Sequence, residues 1–236
     1  MTHVKTRLMK IIHGLVNFVI KVLISIACRI DARELKKVAA AGPLILATNH
    51  INFLEIPLVY LWMQPRPLYA LIKIETTRHP FFSFLADSWG GIPVRRGEFD
   101  RIALMNCIKL LEDGNILAIS LEGTRSGDGK LLIGYPGVIP IALKSGAPIQ
   151  PVVFYGHEKF WKNILHLRRT DFKIMVGEPF TIKNPGTGIS REVRQEIVDQ
   201  IMFRLAILLP EQYRGVYSDL SQMIDNYFDF TPSNEN

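Results

Sequence analysis

Cysteine is almost missing from this chain, which carries two in 236 residues, Cys28 and Cys107. No C-x-x-C pair and no Cys/His cluster accompanies them. That excludes a zinc site or a disulfide framework and leaves two buried, reduced thiols. Long apolar runs are missing too. A membrane-spanning helix needs about 20 mostly apolar residues, yet the most hydrophobic stretch, 4–27, is cut every three or four residues by Lys10, His13, Asn17 and Lys21. No small-residue cleavage site follows it, so a signal peptide fits less well. There is no internal repeat, no low-complexity segment and no basic recognition helix, which removes the main grounds for a nucleic-acid partner. No motif calls for a metal or an organic cofactor.

What is present is enough apolar material for a core. Hydrophobic residues make up 48% and charged residues 21%, a balance that suits one folded domain and argues against disorder. Mean hydropathy is +0.15 and the pI about 9.3. With a formal charge of +6, the chain favours an anionic partner such as a lipid surface or a phosphorylated substrate.

The four polar residues of 4–27 fall on one face of a helix, and Ile11, Leu15, Phe18, Val22, Leu23 and Ile26 occupy the others. Basic residues flank both ends: Lys5 and Arg7 before, Arg29, Arg33, Lys36 and Lys37 after. A spanning helix usually carries its positive charge on one side, so this symmetry predicts a helix lying in the membrane interface. The competing reading is an ordinary amphipathic helix packed on the domain. The expected division is a membrane-associated helical segment over 1–40 and a globular domain over 41–236.

From Pro43 onward short apolar runs alternate with helical patterns. Strands are expected at Leu44–Thr48, Tyr69–Ile72, Ile92–Val94, Ile116–Ser120, Ile149–Phe154 and Phe172–Val176. Helices are expected near Phe53–Trp62, Phe81–Ala86, Phe99–Leu111 and Val138–Lys144. A last one runs from Ser190, an N-cap, to Leu209 before Pro210. The alternation predicts an α/β fold with a mixed, mainly parallel sheet covered by helices. The polar tail after Tyr227 reads as frayed.

Three polar clusters end three of these strands, the place where sites gather in such folds. Asn49-His50-Ile51-Asn52-Phe53-Leu54-Glu55 follows the first. A turn at Ile51–Asn52 would fold Glu55 back onto His50, and a proton-abstracting histidine needs an anion on its other nitrogen. Asn52 and Glu55 equally match an N-cap with a glutamate at N3, ordinary helix-start chemistry. Gly91-Ile92-Pro93-Val94-Arg95-Arg96 and Glu122-Gly123-Thr124-Arg125-Ser126 supply the other two clusters. Arginine suits phosphate because its planar fork makes two parallel hydrogen bonds.

These blocks, in this order, resemble the PlsC-type glycerolipid acyltransferases. Asn49, His50 and Glu55 resemble the family's Asn-His-x4-Asp, with glutamate one methylene longer than the usual aspartate. Gly91 and Arg96 resemble its Gly-x4-Arg block, and residues 122–126 its Glu-Gly-Thr-Arg-Ser block in full. The prolines of Ala147–Val152 are similar to its fourth block. The resemblance covers about Leu44 to Val153. It implies that His50 is the general base and Glu55 its orienting carboxylate. Arg95, Arg96 and Arg125 would bind the acceptor's phosphate, with Glu122, Gly123, Thr124 and Ser126 shaping that pocket.

The implied reaction moves an acyl group from acyl-CoA or acyl-carrier protein, as co-substrate, to the free hydroxyl of 1-acyl-sn-glycerol-3-phosphate, giving phosphatidic acid. The implied place is the cytoplasmic face of the inner or plasma membrane. Two alternatives remain: another lysophospholipid or glycolipid acceptor, or a non-catalytic lipid-binding protein.

Overall fold

A computed structural model describes residues 2–95, 97, 100–183, 186 and 188–230, although the side chains of 2–8 and 10 lie outside that description. The chain opens with helix α1 (Thr2–Ala27), which runs directly into strand β1 (Cys28–Asp31). Then follow β2 (Leu44–Thr48), α2 (Glu55–Met63), β3 (Leu68–Lys73), α3 (Pro80–Ser88), β4 (Gly91–Val94), α4 (Arg101–Glu112) and β5 (Ile116–Ser120). The second half holds α5 (Val138–Ser145), β6 (Ile149–Tyr155), α6 (Phe160–Leu165), β7 (Thr170–Val176), β8 (Phe180–Ile182), α7 (Arg191–Ala206) and β9 (Phe228–Phe230).

The sheet runs β1-β7-β6-β2-β5-β3-β4, with β8 added to β6 and β9 to β8. From β6 to β4 all neighbours are parallel, whereas β7 and β8 run antiparallel to β6. The expected mixed, mainly parallel sheet is therefore present. Strand β2 sits at its centre and is buried along its whole length. Successive side chains of a strand point to opposite faces. Ile45 and Ala47 accordingly enter one core with α4, α5 and α7. Leu44 and Leu46 enter the other, with residues of α1, α2 and α6. Burial on both faces explains why these strands read as continuous apolar runs rather than alternating ones.

Several boundaries differ from expectation. The segment 1–40 is not separate from the domain, because β1 pairs with β7 and extends the sheet. Helix α4 starts at Arg101, two residues late, where Asp100 accepts a hydrogen bond from Ala103 N. Ser190 caps α7 as expected, accepting from Val193 N. The tail is not frayed up to Phe230: Phe228 is buried against Phe180, ring centroids 4.5 Å apart, and β9 completes the antiparallel edge.

Helix α1 reverses the ordinary amphipathic arrangement. Its polar stripe faces the protein: Asn17 Oδ1 accepts from Trp89 Nε1 at 2.8 Å, the Lys21 ammonium lies 5.0 Å from the Trp62 ring, and His13 meets Phe84 edge-on. The apolar residues Ile11, Leu15, Phe18, Leu23 and Ile26 face outward, Phe18 with 65% of its surface exposed. Among the described residues, no helix is long and apolar enough to cross a membrane.

Candidate active site

Because β2, β5 and β6 are parallel neighbours, their carboxyl ends emerge side by side. Thr48 pairs with Ser120 on one flank and with Val152 on the other. Each strand then delivers one buried polar residue: His50 after β2, Glu122 after β5 and His157 after β6. Asn49 closes β2 against β6 by exchanging two hydrogen bonds with the Phe154 backbone, at 2.9 and 2.8 Å.

Glu55, the first residue of α2, turns back towards His50. Its Oε1 accepts from Ile51 N at 2.8 Å and Asn52 N at 2.9 Å, and Asn52 Oδ1 accepts from Leu54 N. Helix α2 starts at Glu55 with Leu54 as its cap and no side-chain cap bond, so Asn52 is not its N-cap; the Glu55 carboxylate nonetheless faces both the Asn52 amide and His50. Its Oε2 lies 3.3 Å from His50 Nδ1. That contact is long for a hydrogen bond. Burial pushes the Glu55 carboxyl up, but the hydrogen bonds and charge of His157 and His50 outweigh it and hold the group down at about 2.

His157 was not among the residues singled out from the sequence. Its Nε2 stands 2.6 Å from Glu55 Oε1, and its ring is fully buried and stacked on Phe172 at 4.1 Å. Its Nδ1 is buried without a hydrogen-bond partner among the described residues. An ionised carboxylate can only accept, so the 2.6 Å contact puts a proton on Nε2, which donates to Glu55 Oε1. Gly156, at φ +92, makes the left-handed turn that brings His157 in from β6; a Cβ there would stand 3.0 Å from Asp171 O. A histidine at the carboxyl end of a core strand was the signal available, but five residues past the last recognised block it carried no motif.

The Glu122–Ser126 turn is stitched to the His50 loop. Ser126 N donates to His50 O at 2.8 Å, Gly127 N to Ile51 O at 3.1 Å, and His50 N to Glu122 Oε2 at 2.7 Å. Glu122 Oε1 accepts from Leu132 N at 2.9 Å. Both oxygens of Glu122 therefore brace backbone amides. Glu122 is 1% exposed, so it braces the two loops from behind and offers no surface to a ligand. Burial raises its pKa, which the two amides lower and the Glu55 charge raises again, to a net value of about 7. Gly123 takes φ +64, a conformation that glycine adopts without strain.

Gly123, Thr124 and Arg125 are exposed beside this turn, with Ser126 half-buried. Arg95 is exposed at the end of β4, its amide bonded to Asp100. Since β4 lies three strands from β2, roughly 14 Å across the sheet, Arg95 is not brought to the His50–Glu55 pair. Arg96 lies outside the described residues. No group of three His, Cys, Asp or Glu among the described residues is arranged to hold a metal ion.

The comparisons with known proteins bear on the family. A family model described as Acyltransferase matches residues 29–155, more than half of the chain. A 1-acyl-sn-glycerol-3-phosphate acyltransferase of Borreliella burgdorferi is 32% identical over 124 residues, 51% of this chain and 49% of that protein. A lyso-ornithine lipid O-acyltransferase of Pseudomonas aeruginosa is 31% identical over 115 residues, 48% of this chain and 43% of that one. The chain thus spans about half the length of these curated relatives. The crystal structure of the 1-acyl-sn-glycerophosphate acyltransferase PlsC from Thermotoga maritima shares the fold, with a TM-score of 0.57 at 22% identity over 84% of this chain and 79% of that one. Motifs and the family match converge: the chain belongs to the Acyltransferase family.

Proposed function

We propose that this protein transfers a fatty acyl group from acyl-CoA or acyl-carrier protein to the free hydroxyl of 1-acyl-sn-glycerol-3-phosphate, giving phosphatidic acid. The observation that carries this reading is the buried Glu55 carboxylate facing His50 Nδ1 at the end of β2. With Nδ1 turned to Glu55, Nε2 of His50 is the nitrogen left to take the hydroxyl proton. The alkoxide oxygen attacks the thioester carbonyl, the tetrahedral intermediate collapses, and the departing thiolate takes the proton back from the imidazolium. Glu55 stabilises that transient cation. No acyl-enzyme forms in this scheme. Arg125, exposed beside the His50 loop, supplies the charge-assisted hydrogen bonds that the acceptor's phosphate needs, and Arg96 is assigned the same task.

The outward apolar face of α1 supports a membrane surface as the place of work. A row of large apolar side chains facing water is unfavourable, whereas the same row laid in a bilayer interface is stabilising. The cytoplasmic face is the side on which acyl-CoA and acyl-carrier protein are available. The name of the Pseudomonas relative favours a second reading in which the acceptor is another lysolipid.

The test is transfer of a labelled long-chain acyl group from acyl-CoA and from acyl-carrier protein to lysophosphatidic acid in detergent micelles. His50→Ala should lower the rate by roughly 10²–10⁴-fold. Arg125→Ala should weaken a phosphate-bearing acceptor by about 10–100-fold and leave a phosphate-free one unaffected. A wild-type protein inactive with both donors would sink the reading. Full activity in Arg125→Ala would transfer it to the second acceptor class.

A further inference from the structure

The segment 159–169, Lys-Phe-Trp-Lys-Asn-Ile-Leu-His-Leu-Arg-Arg, holds four lysines and arginines and no carboxylate. It folds as a helix-turn-strand hairpin: α6, a tight turn closed by Leu167 N to Ile164 O and Arg168 N to Asn163 O, then the lead into β7 at Thr170. Its base is fixed. Phe160 is buried, and Asn163 Nδ2 donates to Thr170 Oγ1 at 3.1 Å. The Arg169 guanidinium donates to Ser25 O at 2.7 Å and Cys28 O at 2.5 Å, the end of α1. The Trp161 ring lies 5.4 Å from Phe53, in the loop between His50 and Glu55.

The tip is the reverse of what a water-facing turn requires. Leu165 is 82% exposed and Leu167 is 97% exposed. Leu167 also takes φ +52, a left-handed conformation that leucine rarely adopts. Folding in water gains nothing from an apolar side chain placed there at the cost of backbone strain, and such outliers gather at functional positions. Trp161, exposed between Lys159 and Lys162, has the amphipathic ring typical of a membrane–water boundary.

We propose that residues 159–169 form a second bilayer contact, which seats Leu165 and Leu167 among the acyl chains of an anionic membrane and holds the mouth of the His50 site at its surface. The cations match anionic headgroups and the apolar tip matches the chains beneath them. The Arg169 bonds to the end of α1 make the hairpin continuous with that helix and its outward apolar face. An acidic carrier protein would use the same cations but would leave Leu165 and Leu167 without a role. The proposal rests on the lipid-acyltransferase reading for its purpose, but not for its test.

Cys28 and Cys107 are both buried, so a fluorophore attached through Leu167→Cys reports on the tip alone. On mixing with phosphatidylcholine vesicles containing phosphatidylglycerol, its emission should shift to the blue and be quenched by brominated acyl chains. An unchanged emission from vesicle-bound protein overturns the proposal. A Leu165→Glu, Leu167→Glu variant should lose about tenfold or more in sedimentation with the same vesicles, while keeping wild-type turnover of a short-chain acceptor in free solution. Unaltered vesicle binding together with weakened binding to acyl-carrier protein would assign the hairpin to the carrier instead. The label and sedimentation arms need no turnover. A protein that seats its tip in vesicles but transfers no acyl group refutes the enzymatic reading and not this surface.

Discussion

His157 donates to Glu55 across 2.6 Å from the opposite side to His50, so one buried carboxylate is held between two imidazoles. Glutamate's extra methylene places Oε1 against His157, Ile51 N and Asn52 N while Oε2 remains with His50. The carboxylate is thus fixed by a second histidine and two backbone amides rather than left loose.

His157→Phe should keep the ring that stacks on Phe172 but remove the donor. Losing a hydrogen bond to a charged group costs about 1.5–3 kcal/mol, so kcat should fall about tenfold to a hundredfold with KM little changed. His157→Gln, whose side-chain amide still donates towards Glu55, should recover most of the rate. Steady-state kinetics on both variants settles it. A Phe variant with wild-type kcat would show that His157 only fills space.

Stability should carry the mark of Glu55 in acid. A carboxyl held at about 2, against an ordinary 4.5, binds fewer protons folded than unfolded through that interval. Its contribution is complete above the unfolded value and is lost as pH falls towards 2. The stability gap between wild type and Glu55→Gln, from urea unfolding, should therefore narrow between about pH 5 and pH 2. A constant gap would mean that the carboxylate is not held ionised by its histidines.

Much of this was legible in the sequence, for identifiable reasons. Strands β2 and β5 were located to the residue because buried parallel strands are unbroken apolar runs bounded by turns. His50, Glu55 and the 122–126 turn stood out because they follow strand-like runs and resemble the family's blocks; the His-x4-Glu spacing alone marked nothing beyond a helix start. Strand β1 was hidden because four residues, two of them charged, carry no apolar run. Helix α6 was hidden by its shortness, and β9 because its two phenylalanines sit in a polar tail. The pairing of His157 with Glu55 and the direction of α1 were missed for another reason. Each depends on what the fold places opposite, and no local pattern records that.

Glu122 offers a sharper contrast between a brace and a ligand. Its two oxygens accept from His50 N and Leu132 N, and Gln can supply only one acceptor oxygen. Glu122→Gln should leave one amide unsatisfied, at about 1–3 kcal/mol. Turnover should then fall equally with phosphate-bearing and phosphate-free acceptors, because the disturbed element is the His50 loop. A loss confined to phosphate-bearing acceptors would instead make Glu122 part of the phosphate pocket.

The outward face of α1 can be tested without touching the site. Leu15 and Phe18 are exposed and distant in sequence from every catalytic residue, so Leu15→Glu with Phe18→Glu should leave the fold and the turnover of a short-chain acceptor in free solution intact. A helix packed with its apolar side inward would be destabilised by such changes. One with its polar stripe inward loses nothing in water, and the added charges even relieve apolar exposure. In a bilayer the balance reverses: burying an apolar side chain of this size contributes about 1.5–3 kcal/mol, so removing two should weaken vesicle sedimentation about a hundredfold or more. An unchanged melting temperature with lost vesicle binding is the expected pair. A drop in melting temperature with retained binding would place the apolar face against protein and return α1 to an ordinary packed helix.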